Sequence, residues 1–190
     1  NVRRPQRALL TFAAGIVAQP LARSQMAPAD LKAFIKDVPD FPKPGIVFKD
    51  ITPLLAAPAA LAATIDELAL HARPLDVRGV LAIESRGFVF GGLLARQLGV
   101  PLQLVRKRGK LPRETVAVRY ALEYGFDHLE MHVDAVERGE RYLVVDDVIA
   151  TGGTATATAE LIEQQGGIVA ACAFVIELDF LRGREQLGTR

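Results

Sequence analysis

The chain has 190 residues, half of them hydrophobic, which is enough for one domain with a sizeable buried core. Its formal net charge is +1, so bulk electrostatics gives no reason to expect nucleic acid or an anionic membrane as a partner. A single cysteine, Cys172, excludes an internal disulfide framework and suits a reducing cytoplasm. No apolar stretch reaches the length of a membrane span.

Residues 1–25 have an unusual composition, with four arginines, no acidic residue and an apolar stretch at 8–18. This pattern is typical of a targeting segment. The alternative is a disordered extension upstream of a native start at Met26, and we favour this alternative. We therefore expect one domain over residues 26–190.

Beyond Met26 the pattern predicts alternating helices and strands. The predicted elements, in chain order, are a helix at 29–38, a helix at 57–72, a strand at 80–83, a helix at 87–98, a strand at 101–105, a strand at 142–145, a helix at 155–165 and a strand-like run at 168–178. Alternation of this kind implies an α/β fold with a mainly parallel sheet flanked by helices. In such sheets ligands bind at the carboxyl ends of the strands.

The most informative segment covers residues 142–154, where a buried strand leads through two adjacent acids into a glycine-bearing loop and a helix. The glycines allow a tight turn, and free N–H groups at the helix start can hold an anion. Asp146 and Asp147 would repel a phosphate, so they should contact hydroxyls or a solvated Mg²⁺. A ribose that carries a 5′-phosphate meets both requirements.

Common phosphate loops do not fit this segment, which has neither a Gly-Lys-Ser/Thr sequence nor the Gly-x-Gly-x-x-Gly spacing of dinucleotide sites. An ordinary helix cap is a weaker interpretation, because a cap needs one acid and not two in tandem. Charged residues also follow the two preceding predicted strands, at 84–86 and 106–107. Their convergence at one edge of the sheet predicts an active site there.

The loop at 142–154 resembles the signature of type I phosphoribosyltransferases, which bind 5-phosphoribosyl pyrophosphate (PRPP). The whole set of motifs is similar to the adenine-specific branch of that family, in the same order along residues 39–178. The motifs outside the loop are residues 41–51, 84–88, 106–112 and 122–125. The resemblance implies the α/β fold with a small N-terminal hood and a flexible lid at roughly 107–125. Relatives usually continue with a further C-terminal strand, so we expect that strand to be lacking here.

The resemblance implies transfer of the phosphoribosyl group of PRPP to adenine, with Mg²⁺ chelated by PRPP and no direct metal ligand from the protein. It also implies a cytoplasmic homodimer. Arg86 is expected to act on the pyrophosphate, in a loop that holds a non-proline cis peptide in the family. The predicted PRPP-binding residues are Ser85, Arg86, Arg106, Lys107, Lys110, Tyr124, Asp146, Asp147, Ala150, Thr151, Gly152, Gly153 and Thr154.

Glu123 is the residue expected to take or steer the proton that adenine loses. A carboxylate can do this only if it is placed against the ring and shielded from water, which a lid would achieve. The predicted adenine-binding residues are Val47, Phe48, Lys49 and Val148. Lys49 stands where the family usually has arginine, so base recognition survives only if the contact is made by the main chain.

Two other functions fit parts of the pattern. A phosphoribosyltransferase for hypoxanthine, guanine or xanthine would share the PRPP motif but not the segments at 47–49 and 122–125. A PRPP-sensing regulator without catalysis would need a DNA-binding module, and the residues before the hood are too few for one. The three histidines are scattered and have no metal-ligand spacing.

Overall fold

The computed structural model describes residues 31–121 and 125–188, so the prediction for residues 1–25 lies outside the described part. The elements, in chain order, are β1 (Lys36–Pro39), β2 (Val47–Asp50), α1 (Thr52–Ala56), α2 (Pro58–Ala72), β3 (Gly79–Ile83), α3 (Gly87–Leu98), β4 (Leu102–Lys107), β5 (Thr115–Ala121), β6 (Phe126–His132), β7 (Arg141–Ile149), α4 (Gly153–Gln164), β8 (Ile168–Glu177) and α5 (Gly183–Leu187). None of the described helices is long and apolar enough to cross a membrane.

Six strands form the main sheet, in the order β5-β6-β4-β3-β7-β8. Strands β4, β3, β7 and β8 run parallel, whereas β6 pairs antiparallel with both β4 and β5. A separate antiparallel pair, β1 and β2, forms the small N-terminal hood. The mainly parallel α/β fold is therefore confirmed, and it brings the carboxyl ends of β3, β4 and β7 to one edge.

The core fills both faces of the sheet, because side chains alternate along each strand. On β3, Leu81 and Ile83 pack with Leu161 of α4. Val80 points the other way and packs with Phe90 and the rest of the cluster on the α2 and α3 side. Strand β3 is buried along its whole length, as expected for a central strand covered on both faces.

The predicted helix at 29–38 is wrong over its second half. A 3₁₀ turn spans Lys32–Phe34, and β1 begins at Lys36. Val38 precedes Pro39, and a residue before proline favours the extended conformation. Val38 also pairs with Phe48 across the hood hairpin, so strand pairing decides the structure here.

Two strands run further than predicted, which changes where the charged residues lie. Strand β4 continues to Lys107 because Arg106 and Lys107 pair with β6. Strand β7 continues to Ile149 because β8 keeps pairing with it beyond Val145. Asp146 and Asp147 therefore lie within β7 and not after its end.

Candidate active site

A cavity of about 390 Å³ opens at the carboxyl edge of the sheet. It brings together most of the residues that the sequence predicts. Those on its wall are Ser85, Arg86, Lys107, Asp146, Asp147, Val148, Ala150, Thr151, Gly152, Gly153 and Thr154. Five other predicted residues do not lie on the wall, namely Val47, Phe48, Lys49, Arg106 and Lys110. Of these, Phe48 contacts Arg86 and Arg106 contacts Glu84, and both partners are wall residues.

The loop between β7 and α4 is shaped to hold an anion. Gly152 has a φ of +88°, a left-handed conformation that favours glycine, at the residue before α4. In the described part of the chain no side chain caps the start of α4, which leaves its first N–H groups for a ligand.

Glycine is also required where this loop meets the start of α5. A Cβ on Gly183 would lie 2.2 Å from the carbonyl oxygen of Ala150, and a Cβ on Gly152 would lie 2.4 Å from the carbonyl oxygen of Gly183. Leu187 of α5 packs in one buried cluster with Ile149 and Ala155. The C-terminal helix thus supports the loop from behind.

Asp146 and Asp147 form an unequal pair of carboxylates. Asp147 is almost fully buried, and its Oδ2 accepts a hydrogen bond from Nε of Arg86. The Asp147 N–H donates to Oδ1 of Asp146 over 2.8 Å. Burial, followed by the charge of Asp147, raises the pKa of Asp146 to about 8. Asp146 therefore holds its proton to a higher pH than an ordinary carboxyl does.

The turn between β3 and α3 carries Arg86 and is tied to β4. The Glu84–Ser85 peptide bond is cis, as the family resemblance implies. The two carboxylate oxygens of Glu84 accept hydrogen bonds from the Arg106 guanidinium at 3.1 Å each, and the Lys107 N–H also donates to Glu84 at 3.1 Å. Burial tends to raise the pKa of Glu84, but these hydrogen bonds outweigh it and the pKa lies below its ordinary value.

Arg106 therefore acts within the protein and not on the cavity wall. Besides Glu84, its guanidinium donates to the carbonyl oxygen of Lys110 over 2.9 Å. This contact fixes the turn after β4, where the predicted lid begins. Direct binding of PRPP by Arg106 and Lys110 stays a prediction.

The hood places Phe48 beside the cavity. The Phe48 ring lies 5.3 Å from Cζ of Arg86 and packs edge-on against Phe41, with the ring centroids 5.2 Å apart. Lys49 is directed elsewhere, since its Nζ lies 2.6 Å from Oδ1 of Asp37 across the hairpin. Its ammonium is thus occupied by a partner within the hood.

Sequence reasoning missed several residues of the cavity wall. The additional wall residues are Tyr120, Asp127, Leu129, Ile149, Ala155 and Phe174, and Glu84, which was placed at this edge without a binding role, also lies on the wall. Tyr120 and Asp127 face each other across β5 and β6. The alternation of Asp127, Leu129 and Met131 could have shown that these side chains share one face, but not that this face meets the phosphate loop.

Glu123 and Tyr124 lie outside the described residues, so their predicted roles stay predictions. Within residues 31–121 and 125–188 no group of three or more His, Cys, Asp or Glu side chains could hold a metal ion.

A family model described as the phosphoribosyl transferase domain matches residues 48–186. The structure of adenine phosphoribosyltransferase from Rhodothermus marinus is 52% identical, with a TM-score of 0.82, and the match covers 85% of this chain and 92% of that one. The enzyme from Saccharomyces cerevisiae, complexed with an imino-altritol bisphosphate and adenine, is 41% identical with a TM-score of 0.82, and the match covers 85% of this chain and 94% of that one. The chain therefore has the fold of a phosphoribosyltransferase.

Curated relatives show which kind of phosphoribosyltransferase the chain resembles. The adenine phosphoribosyltransferase of Sorangium cellulosum is 58% identical over 84% of this chain and 80% of its own length. That of Nitrosococcus oceani is 54% identical over 83% of this chain and 92% of its own length. The chain therefore belongs to the adenine phosphoribosyltransferase family.

Proposed function

We propose that the protein transfers the 5-phosphoribosyl group of PRPP to adenine. In this reaction a bond forms between N9 of adenine and C1′ of the ribose, and the bond from C1′ to the pyrophosphate oxygen breaks. The products are AMP and pyrophosphate. The observation that carries the proposal is the anion loop at 150–154 directly beside the Asp146 and Asp147 carboxyls, on one cavity wall.

The loop and the carboxyls are suited to different parts of the ribose phosphate. The main-chain N–H groups at the start of α4 suit the 5′-phosphate. Asp147 suits a ribose hydroxyl, because a buried carboxylate needs donors and Arg86 supplies only part of that need. A negative charge here also favours the positive charge that develops on the sugar as pyrophosphate leaves.

Arg86 and Lys107 suit the pyrophosphate. Both lie on the cavity wall, on the turn after β3 and at the end of β4, and the side chains are 44% and 60% exposed. Their exposure allows each cation to turn from its carboxylate partner toward an incoming anion. Mg²⁺ bound with PRPP would neutralise further charge, taking its oxygen ligands from PRPP and water.

For the base, we propose stacking on Phe48 from one side and contact with Val148 from the other. Because Lys49 is held by Asp37, recognition of the adenine edge would come from the main chain of the hood. Glu123 would accept the proton that adenine loses. A cytoplasmic homodimer is part of this proposal, and the exposed Val89 and Leu93 on α3 offer an apolar strip for a second copy.

The experiment is an assay with adenine, PRPP and Mg²⁺ that follows both products. We expect one pyrophosphate for each AMP, and loss of both products when EDTA removes the metal. Release of pyrophosphate without AMP would mean that the chain hydrolyses PRPP. No turnover at all would refute the proposed function.

A further inference from the structure

Asp127 is a carboxylate on the cavity wall to which the proposed function gives no role. It lies on β6, and the cavity it faces is expected to bind a highly charged anion. Among the described wall residues, the cations Arg86 and Lys107 each have a carboxylate partner, Asp147 and Asp127 respectively. Asp147 has a use in the reaction, as a ligand for the ribose. Asp127 needs a separate explanation.

The strand register places Asp127 where it can act on Lys107. Lys107 of β4 pairs with Leu129 of β6, and Asp127 lies two residues before Leu129. The side chains of Lys107 and Asp127 therefore lie on the same face of the sheet. The Lys107 Nζ lies 3.3 Å from Oδ2 of Asp127. An ammonium that binds pyrophosphate must give up, or share, this partner.

The carboxylate of Asp127 is held in place from three sides. Its Oδ1 accepts the His128 N–H at 2.8 Å, and its Oδ2 lies 3.5 Å from the Tyr120 hydroxyl as well as close to Lys107. The His128 hydrogen bond is the largest reason why the pKa of Asp127 lies below its ordinary value. The Thr154 side chain also interacts with the Tyr120 hydroxyl, which brings this group next to the phosphate loop.

We propose that Asp127 is a positioning residue that holds Lys107 in the absence of ligand and competes with pyrophosphate for it. By doing so it weakens the binding of pyrophosphate and eases its release. This role rests on the proposed function, because it assigns pyrophosphate to Lys107. A carboxylate that merely supported the fold would have the opposite effect when removed, since a damaged cavity binds its ligand less tightly.

The test is calorimetric titration of pyrophosphate with Mg²⁺ into the wild-type chain and into Asp127→Asn. The asparagine oxygen can still accept the His128 N–H, while the charge is lost. We expect the dissociation constant to fall about fivefold, the range that a partly exposed ion pair can supply. An unchanged or larger dissociation constant would overturn the proposal.

A matched control and a second variant keep the result interpretable. Asp134→Asn removes the same charge from an exposed ion pair with Arg113 that lies away from the cavity wall, and it should leave pyrophosphate binding unchanged. If Asp127→Asn does not fold, Asp127→Ser should show the same tighter binding. AMP synthesis by the wild-type chain is measured in parallel, so a failure of the proposed function is seen separately from a failure of this inference.

Discussion

Replacing Asp146 with asparagine should stabilise the ligand-free protein at neutral and alkaline pH. Its carboxyl has a pKa raised to about 8, mainly through burial and then through the charge of Asp147. Between the ordinary pKa of 3.8 and about 8, the native protein keeps a proton that the unfolded chain releases. The contribution of Asp146 to the free energy of unfolding of the wild-type chain therefore falls as pH rises through this window. Asparagine has no such proton, and its oxygen can still accept the Asp147 N–H.

The size of the effect follows from the pKa change. At about 1.4 kcal/mol for each pKa unit, the upper limit is about 6 kcal/mol. Asp146 and Asp147 titrate as a coupled pair, so only part of this limit belongs to Asp146, and we expect about 2 kcal/mol at pH 8.5. For a chain of this size that corresponds to a rise in Tm of roughly 4–8 °C.

Thermal unfolding followed by circular dichroism from pH 4.5 to pH 8.5 measures this effect. The advantage of Asp146→Asn should be small at the acid end and grow up to about pH 8. Asp134→Asn serves as the control, because Arg113 lowers the pKa of Asp134 and the charged carboxylate stabilises the fold above its ordinary pKa of 3.8. The difference between this variant and the wild-type chain should therefore not change between pH 4.5 and pH 8.5. An advantage of Asp146→Asn that does not change with pH would refute the reasoning.

Three further changes probe the loop, the proposed base and the hood. Gly183→Ala should raise KM for PRPP about tenfold and KM for adenine by less, as measured by steady-state kinetics. The reason is that the new Cβ would push the carbonyl of Ala150 and shift the phosphate loop. Equal changes in the two KM values would contradict this. Glu123→Ala should lower kcat about 10²- to 10⁴-fold with little change in Tm. An unchanged kcat would refute the role of Glu123 as the base. Lys49→Ala should leave KM for adenine nearly unchanged because Asp37 holds the ammonium, whereas a large rise in KM would indicate a side-chain contact with the base.

The sequence predicts elements well where local pattern and packing agree. Helix α3 has the predicted bounds, and α2 begins one residue later than predicted. Both bury an apolar face, and α2 is also rich in the helix former alanine. The error at residues 29–38 arose because helical spacing competed with pairing between β1 and β2, which lies beyond a local window. The same cause explains why β7 continues through its two acids, where pairing with β8 outweighs their charge.

The residues of the site also fall into those that the local sequence predicts and those that it does not. Residues that follow one another in a motif, such as those of the phosphate loop, were predicted from sequence and lie on the cavity wall. Tyr120 and Asp127 reach that wall only through the antiparallel addition of β5 and β6 to a parallel sheet. No local pattern encodes that register.

The central claim is that this PRPP site serves adenine, and a competition assay tests it most directly. Adenine, hypoxanthine and guanine are supplied together at equal concentrations with limiting PRPP and Mg²⁺, and the nucleotides are separated by chromatography. We predict that AMP exceeds IMP and GMP by about a hundredfold or more, because main-chain groups that fit adenine would be left unpaired by an oxygen at position 6. IMP or GMP as the main product would contradict the account.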